Sequence, residues 1–345
     1  MSTHLDEIFQ FLHYHPNASR TEIETALEAP PSAATMKRLL AGALERGEIA
    51  ASGTGRATRY SITPKTHLLR TFNVEEYFRK EIDERVVQTS FNFELIRGLL
   101  PQIEIFSEAE NAHLSKLQAE FSARVAALPE DVLAQEMERL GIDLSWKSSQ
   151  IEGNTYTLLE TERLLRERKE AKGKTHEEAV MLLNHKAAWR FLTKNRDYLK
   201  TLTISGIEDV HSLLVKDLGV GRNVRVGRVG ITGTNYRPLD NEFQIRDALR
   251  DFCALVNARG NVFEKTLFAL LLLSYIQPFY DGNKRTARIV GNALLLAENC
   301  CPLSWRTVDS LDYKEALLVF YEQNNLRPFK DIFMEQFEFA AKTYC

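Results

Sequence analysis

Of 345 residues only four are cysteine: Cys253, Cys300, Cys301 and Cys345. None stands at a Cys-x-x-Cys spacing, so neither a zinc ribbon nor a disulfide framework is indicated. Free thiols in a reducing compartment are the simpler expectation. Glycine and proline number 17 and 10, too few for a fibrous or disordered chain. Long apolar runs are missing too. The longest, Leu267 to Ile276, is about half of the ~20 residues a membrane span needs, so it reads as a buried core helix. The start, Met1-Ser2-Thr3-His4-Leu5-Asp6, has neither a basic n-region nor an apolar h-region. The expectation is a cytoplasmic protein without a membrane partner. Charge of one sign is also lacking. Lys plus Arg total 44 against 47 Asp plus Glu, for a net charge of −3. That excludes coating nucleic acid by bulk charge and leaves only a local basic patch open.

What is present suits a folded chain of two or three units. Apolar residues make up 44%, and 19 Phe, 11 Tyr and 3 Trp can fill a substantial core. Residues 1–64 read as a small separate unit. Leu5, Ile8, Phe9 and Leu12 recur at helical spacing, and Pro16-Asn17 ends that helix. Ser19-Arg20-Thr21-Glu22 is a capping box opening a second helix with Ile23 and Leu27 inward. Ser32 caps a third, with Met36, Leu39, Leu40, Ala43 and Leu44 on one side and Gly47 as its stop. Strand-like runs at 48–51 and 58–62 follow, around a Ser52-Gly53-Thr54-Gly55-Arg56 turn. Three helices and a hairpin resemble a winged helix-turn-helix. In that fold the third helix enters the major groove. Lys37, Arg38, Arg56 and Arg59 are the candidate DNA contacts. The segment's own balance of 6 basic to 7 acidic residues leaves solvated charges, or a protein-interaction wing, as open alternatives.

Residues 65–139 read as a helical connector. Apolar positions from Phe72 to Leu100 and from Glu108 to Ala127 recur at mixed helical spacing, punctuated by Pro101 and Pro129. Residues 140–345 form the main body. Its patterning predicts helices over 157–171, 175–195, 206–218, 241–258, 262–276, 284–299, 310–325 and 329–343. The one β-like stretch is 222–236, whose Val/Ile alternation and glycines predict a hairpin. The fold class expected is all-α with a small β-hairpin flap.

The stretch Gln277-Pro278-Phe279-Tyr280-Asp281-Gly282-Asn283-Lys284-Arg285-Thr286-Ala287-Arg288 follows a buried helix and opens another. A tight Gly/Asn loop at a helix start presents free backbone N–H groups, which favour phosphate. Arg285 and Arg288 add guanidinium forks on the first turn. Asp281 is an oxygen ligand suited to Mg²⁺ alongside nucleotide phosphates. The bland alternative is a helix cap with two surface arginines.

This stretch resembles the signature loop of the Fic (Fido) family, His-Pro-Phe-x-Asp/Glu-Gly-Asn-Gly-Arg-x-x-Arg. Pro278, Phe279, Asp281, Gly282, Asn283, Arg285 and Arg288 match at the right spacing. Two more segments agree. Ser148-Ser149-Gln150-Ile151-Glu152-Gly153 resembles the family's inhibitory motif, here on the N-terminal side of the signature. Val229-Gly230-Ile231-Thr232-Gly233 lies in a stretch that resembles the flap holding the target segment. The resemblance covers about residues 140–340 and implies a Fic-type helical core. It implies an activity as well: transfer of AMP from Mg²⁺·ATP to a hydroxyl of a target protein. By position it implies that Asp281 holds Mg²⁺ and that Gly282, Asn283 and Lys284 belong to the anion loop. Arg285 would pair with the outer phosphates. Arg288 would bind the γ-phosphate or else pair with Glu152. Ser148 and Glu152, four apart on one helix face, would then form an inhibitory element with Gly153. The flap could pin its target by strand addition. Whether the chain forms a homo-oligomer, and which protein it would modify, leave no sequence trace.

Two positions depart from the family pattern. Gln277 stands where the family has the histidine that removes the proton from the attacking hydroxyl. An amide cannot serve as a general base, a contribution of typically about 10²–10⁴-fold. Three accounts stay open: a natural nucleotide binder, an inactivated form, or a reaction in which Glu152 handles the proton. A nucleotide-sensing DNA-binding regulator is the alternative function. Lys284 stands where the pattern has glycine, which leaves nucleotide orientation open. His185 and His211 fall on helices of the same region and read as structural.

Overall fold

A computed structural model describes residues 4–345. The described residues divide into two compact units, one running to Phe72 and including 324–327, the other of residues 73–323 with 328–345.

In the smaller unit, α1 (His4–Tyr14), α2 (Arg20–Ala26) and α3 (Ala33–Glu45) precede β1 (Ile49–Ser52) and β2 (Arg59–Ile62). Ser19 and Glu22 close the expected capping box on α2, and the Ser32 side chain accepts from Thr35 N on α3. The strands pair antiparallel with Ile49 opposite Ile62. Ala18 adds a bridge to Tyr60. Ile8, Phe9, Leu12, Ile23, Met36, Leu40 and Ile49 form the core, the apolar faces that the 3.6-residue spacing marks. Short α4 (Pro64–Leu69) follows, and Leu326 N donates to Leu68 O at 2.7 Å.

The larger unit starts with irregular chain. Residues 73–99 hold only α5 (Val74–Phe78) and single turns at Ile82–Glu84 and Leu95–Leu99, so most of that mixed periodicity does not mark helix. The longer helices are α6 (Glu108–Ala127), α7 (Glu130–Ile151), α8 (Leu158–Glu167), α9 (His176–Lys194), α10 (Ile204–Leu214), α11 (Glu242–Ala258), α12 (Val262–Ile276), α13 (Asn283–Ala297), α14 (Ser310–Gln323) and α15 (Arg327–Thr343). α12 is the centre: every residue from Thr266 to Ile276 is buried. A helix apolar all round belongs inside, where each buried Leu or Phe contributes about 1.5–3 kcal/mol. α13 packs along α12 and also touches α7, α9 and α10. That places the loop joining α12 to α13 beside the end of α7. No helix among the described residues is long and apolar enough to cross a membrane.

The hairpin expected over 222–236 is absent; the described residues contain one sheet, β1–β2. The reason is visible at Arg225, which is 1% exposed. Its guanidinium donates to Gln277 O at 2.7 Å, Gly227 O at 2.5 Å and Leu239 O at 2.5 Å. Tyr280 Oη accepts from Gly227 N at 3.0 Å, and Arg85 donates to Gly233 O at 2.7 Å. Side chains take the main-chain groups that a ladder would have paired, and glycines at 227, 230 and 233 relax the alternation. The flap is an irregular strap.

Candidate functional site

α12 ends at Gln277, whose φ of 51° and ψ of 58° lie in the left-handed region. A helix C-terminus there usually takes Gly or Asn. The side chain is fully occupied: Gln277 Nε2 donates to Ser274 O at 2.7 Å, and its Oε1 accepts from Asn283 Nδ2 at 2.9 Å. Asn283 also donates to Phe279 O and accepts from Phe279 N, both at 2.8 Å. Asn283 therefore shapes the loop from inside. Phe279 stacks on His211, ring centres 3.6 Å apart and 3° from parallel. The two His211 ring nitrogens face Asp281 O at 3.0 Å and Arg222 O at 3.2 Å. Burial lowers the pKa of this imidazole despite those carbonyls.

Gly282, at φ 79°, turns the chain into α13. A side chain there would be strained, and a Cβ would meet Val215 at 3.1 Å. α8 through α12 all begin with a side chain capping their N–H groups; α13 begins with none. Arg285, 1% exposed, donates from Nη2 to Asp281 Oδ2 at 2.6 Å. Its Nε and Nη1 are buried and find no protein partner. Burial lowers the Arg285 pKa, which Asp281 counters. Unpaired buried donors cost about 1–3 kcal/mol each, so their presence here calls for an explanation.

Arg288, on the same helix, is fully buried. Its Nε donates to Ser148 Oγ at 2.8 Å, and its Nη2 to Ser148 O at 2.9 Å and Glu152 Oε1 at 2.7 Å. Tyr313 lies beneath the guanidinium, 5.3 Å from ring centre to Cζ. Glu152 caps the C-terminus of α7, and Gly153 follows at φ 99°, a conformation suited to glycine. The other Glu152 oxygen accepts from Lys284 Nζ at 2.9 Å. Burial alone would raise this carboxyl; Arg288 and then Lys284 overcome it and hold the pKa at about 2. Ser148, already an acceptor for Arg288, lies 2.7 Å from His185 Nε2. Burial, then the cations Arg288 and Arg285, hold His185 down at about 3, so the imidazole beside Ser148 is neutral.

The structure thus brings together Ser148, Glu152, Asp281, Gly282, Lys284, Arg285 and Arg288. Gln277 and Asn283 are turned into the loop. Of the flap residues, Gly230 and Thr232 are exposed, while Val229, Ile231 and Gly233 are half-buried. Lys37, Arg38 and Arg56 are exposed and Arg59 is half-buried, all in the smaller unit. Sequence reasoning missed three residues: Lys284 as a partner of Glu152, His185 as the support of Ser148, and Arg225 as the anchor of the flap. The spacing of Lys284 and Arg288, four apart on one helix face, could have revealed the first. For His185 and Arg225 no local signal exists.

Asp281 supplies a hard carboxylate whose side chain is 63% exposed at the mouth of the loop. One carboxylate completed by phosphates and water is the donor set Mg²⁺ takes with nucleotides, so the residues fit that ion.

Residues 201–295 match the model of the Fic/DOC family. Among curated relatives, protein adenylyltransferase fic-1 of Caenorhabditis elegans is 26% identical over 206 residues, 56% of this chain and 39% of that protein. Protein adenylyltransferase Fic of Nematostella vectensis is 30% identical over 194 residues, 53% of this chain and 44% of that protein. The match therefore spans less than half of either relative. Among solved structures, a Fic-1 fragment from C. elegans superposes with a TM-score of 0.57 at 21% identity, covering 68% of this chain and 69% of its own. A Fic family protein from Desulfovibrio desulfuricans gives 0.58 at 20% identity, covering 69% and 74%. These two likenesses show the fold. The family model covers α12, the loop and all but the end of α13, so residues 201–295 are a Fic/DOC family domain.

Proposed function

We propose that this chain is a Mg²⁺·ATP-binding protein adenylyltransferase of the Fic type, locked by Glu152 and slowed by Gln277. The observation that carries this function is Arg285: a guanidinium 1% exposed, with two donors unpartnered, at the start of a helix that has no side-chain cap. Such a place suits an anion with several oxygens, because the free N–H groups and the guanidinium are satisfied together. The names of the two relatives, both protein adenylyltransferases, supply the reaction class.

In AMP transfer the target's hydroxyl oxygen bonds to the α-phosphorus of ATP. The bond from that phosphorus to the oxygen bridging to the β-phosphate breaks, and pyrophosphate leaves with the electron pair. Arg285 and the α13 N-terminus hold and orient the phosphates. Asp281 would hold Mg²⁺, which when bound neutralises phosphate charge. Arg288 has two claimants, the outermost phosphate and Glu152. With Glu152 on it, the triphosphate meets a negative charge where it needs a positive one. The hydroxyl proton passes to solvent water, and the step is slow, because the Gln277 amide is not a base. Its two polar atoms are in any case engaged with Ser274 and Asn283. The exposed flap residues Gly230 and Thr232 are candidates for main-chain pairing with an extended target.

The test is transfer of label from α-phosphate-labelled ATP. Gln277→His combined with Glu152→Gly is expected to label the protein itself or a partner, about 10²–10⁴-fold above the unaltered chain. Histidine tolerates the left-handed backbone at this position better than most residues. A folded double variant that transfers nothing would sink the assignment.

A further inference from the structure

We propose that Lys284 is a charge-selecting arm of the nucleotide site: it is parked on Glu152 in the locked state and released to the outermost phosphate of a nucleoside triphosphate when Glu152 withdraws. This rests on the proposed function's assignment of the α13 start as a phosphate site and of Glu152 as its lock.

The geometry separates the two cations that grip Glu152. Lys284 takes one oxygen at 2.9 Å and Arg288 the other at 2.7 Å. They stand four apart on α13 and so share a face. Arg288 is immobilised: it is fully buried, bonded twice to Ser148 and seated over Tyr313. Lys284 is held by Glu152 alone among the hydrogen bonds and ion pairs of the described residues, and its side chain is 25% exposed. A lysine ammonium is a compact charge on a flexible four-carbon stem, able to change partners without rebuilding its surroundings. It also sits one residue after the first residue of α13, beside the free N–H groups of the helix start.

Charge balance then sets the preference. In the locked state Asp281 offsets Arg285, and Glu152 offsets one of Lys284 and Arg288. One surplus positive charge remains. Once Glu152 leaves, the surplus doubles, and the added share lies on a side chain free to reach outward. A triphosphate matches the unlocked loop better than a diphosphate, and a monophosphate worst. Arg288, held in place by Ser148, can meet a phosphate only where Glu152 now sits, and Lys284 adds the second, movable contact.

The experiment is calorimetric titration of the full chain and three variants, Glu152→Gln, Lys284→Met and the two together, with Mg²⁺·ATP, Mg²⁺·ADP and AMP. Glutamine keeps the length of glutamate, methionine keeps the apolar stem of lysine without its ammonium, and a thermal melt confirms folding. Glu152→Gln alone is expected to tighten ATP. Lys284→Met is expected to cost about tenfold in ATP affinity when residue 152 is glutamine. With Glu152 in place the cost falls below about twofold, since the ammonium is already engaged. In the glutamine background the cost shrinks for ADP and vanishes for AMP. Equal losses in the two backgrounds, no loss in either, or the same loss for all three nucleotides would each overturn the role of Lys284. Failure of Glu152→Gln to tighten ATP would instead bring down the Glu152 lock, and this proposal with it.

Discussion

Glu178 and Glu152 are both held at about 2 against an ordinary 4.5, and for different reasons. Glu178 belongs to the start of α9. Its acidity comes first from the backbone N–H of Thr175, then, against burial, from the hydroxyl and N–H of Thr155. The Thr175 side chain returns the favour by accepting from Glu178 N, so the helix start is closed upon itself. Glu152 draws its acidity from Arg288 and Lys284, which reach it from another helix and overcome its burial. The helix they sit on, α13, starts open, with no capping side chain and with Arg285 short of partners. One helix start obeys the local rules of capping and gains only stability. The other breaks them, and a broken local rule is where a ligand is expected.

Arg285→Met should break this contrast most sharply. The variant removes buried donors that lack partners, so folding should be unharmed or improved. Affinity for Mg²⁺·ATP should fall roughly 10- to 100-fold, the worth of charge-assisted hydrogen bonds to phosphate. Calorimetry and a thermal melt on the same sample decide it. A lower melting temperature with unchanged ATP affinity would turn Arg285 into a structural residue. Next in size are the glutamates themselves. Glu152→Gln leaves two cations facing each other with no carboxylate, and Glu178→Ala opens the α9 cap; both should lower the melting temperature. Mg²⁺·ATP should restore the first and not the second. For both residues the folded pKa lies below the ordinary value, so each contribution is complete above about pH 4.5 and is lost as pH falls toward about 2. The gap between the unaltered chain and either variant should hold from pH 5 upward and close within that window, read by urea melts at stepped pH.

The contrast also marks how far the residues could be read without coordinates. α9 was expected over 175–195 and spans His176–Lys194, because Thr175 and Glu178 announce its start and apolar residues recur along one face. α12 matches its expected 262–276, because an unbroken apolar helix bounded by Asn261 and the following Pro278 has few alternatives. The loop between α12 and α13 was legible for a similar reason: glycine, asparagine and arginine are crowded into one turn. Legibility failed wherever a distant side chain took over main-chain groups. Where a hairpin was expected, the buried Arg225 bonds the carbonyls of Gly227, Leu239 and Gln277, and nothing in Val/Ile alternation announces that. The pairing of Lys284 with Glu152 spans 132 positions, so the lysine read as a departure from a pattern when it is half of a clamp.

Thr175→Ala should have the smallest effect, and it sharpens the comparison from the ordinary side. Removing an N-cap hydroxyl costs about 1 kcal/mol, a shift visible in a urea midpoint. If α9 begins as a purely structural helix, ATP affinity stays unchanged. Yet Glu178 also accepts from Thr155 N and Oγ, both at 2.7 Å, and Thr155 stands three residues after Glu152. A loosened Glu178 could free that turn and let Glu152 leave its cations more readily. ATP affinity would then rise while stability falls, and the closed helix start would prove to be the far anchor of the open one.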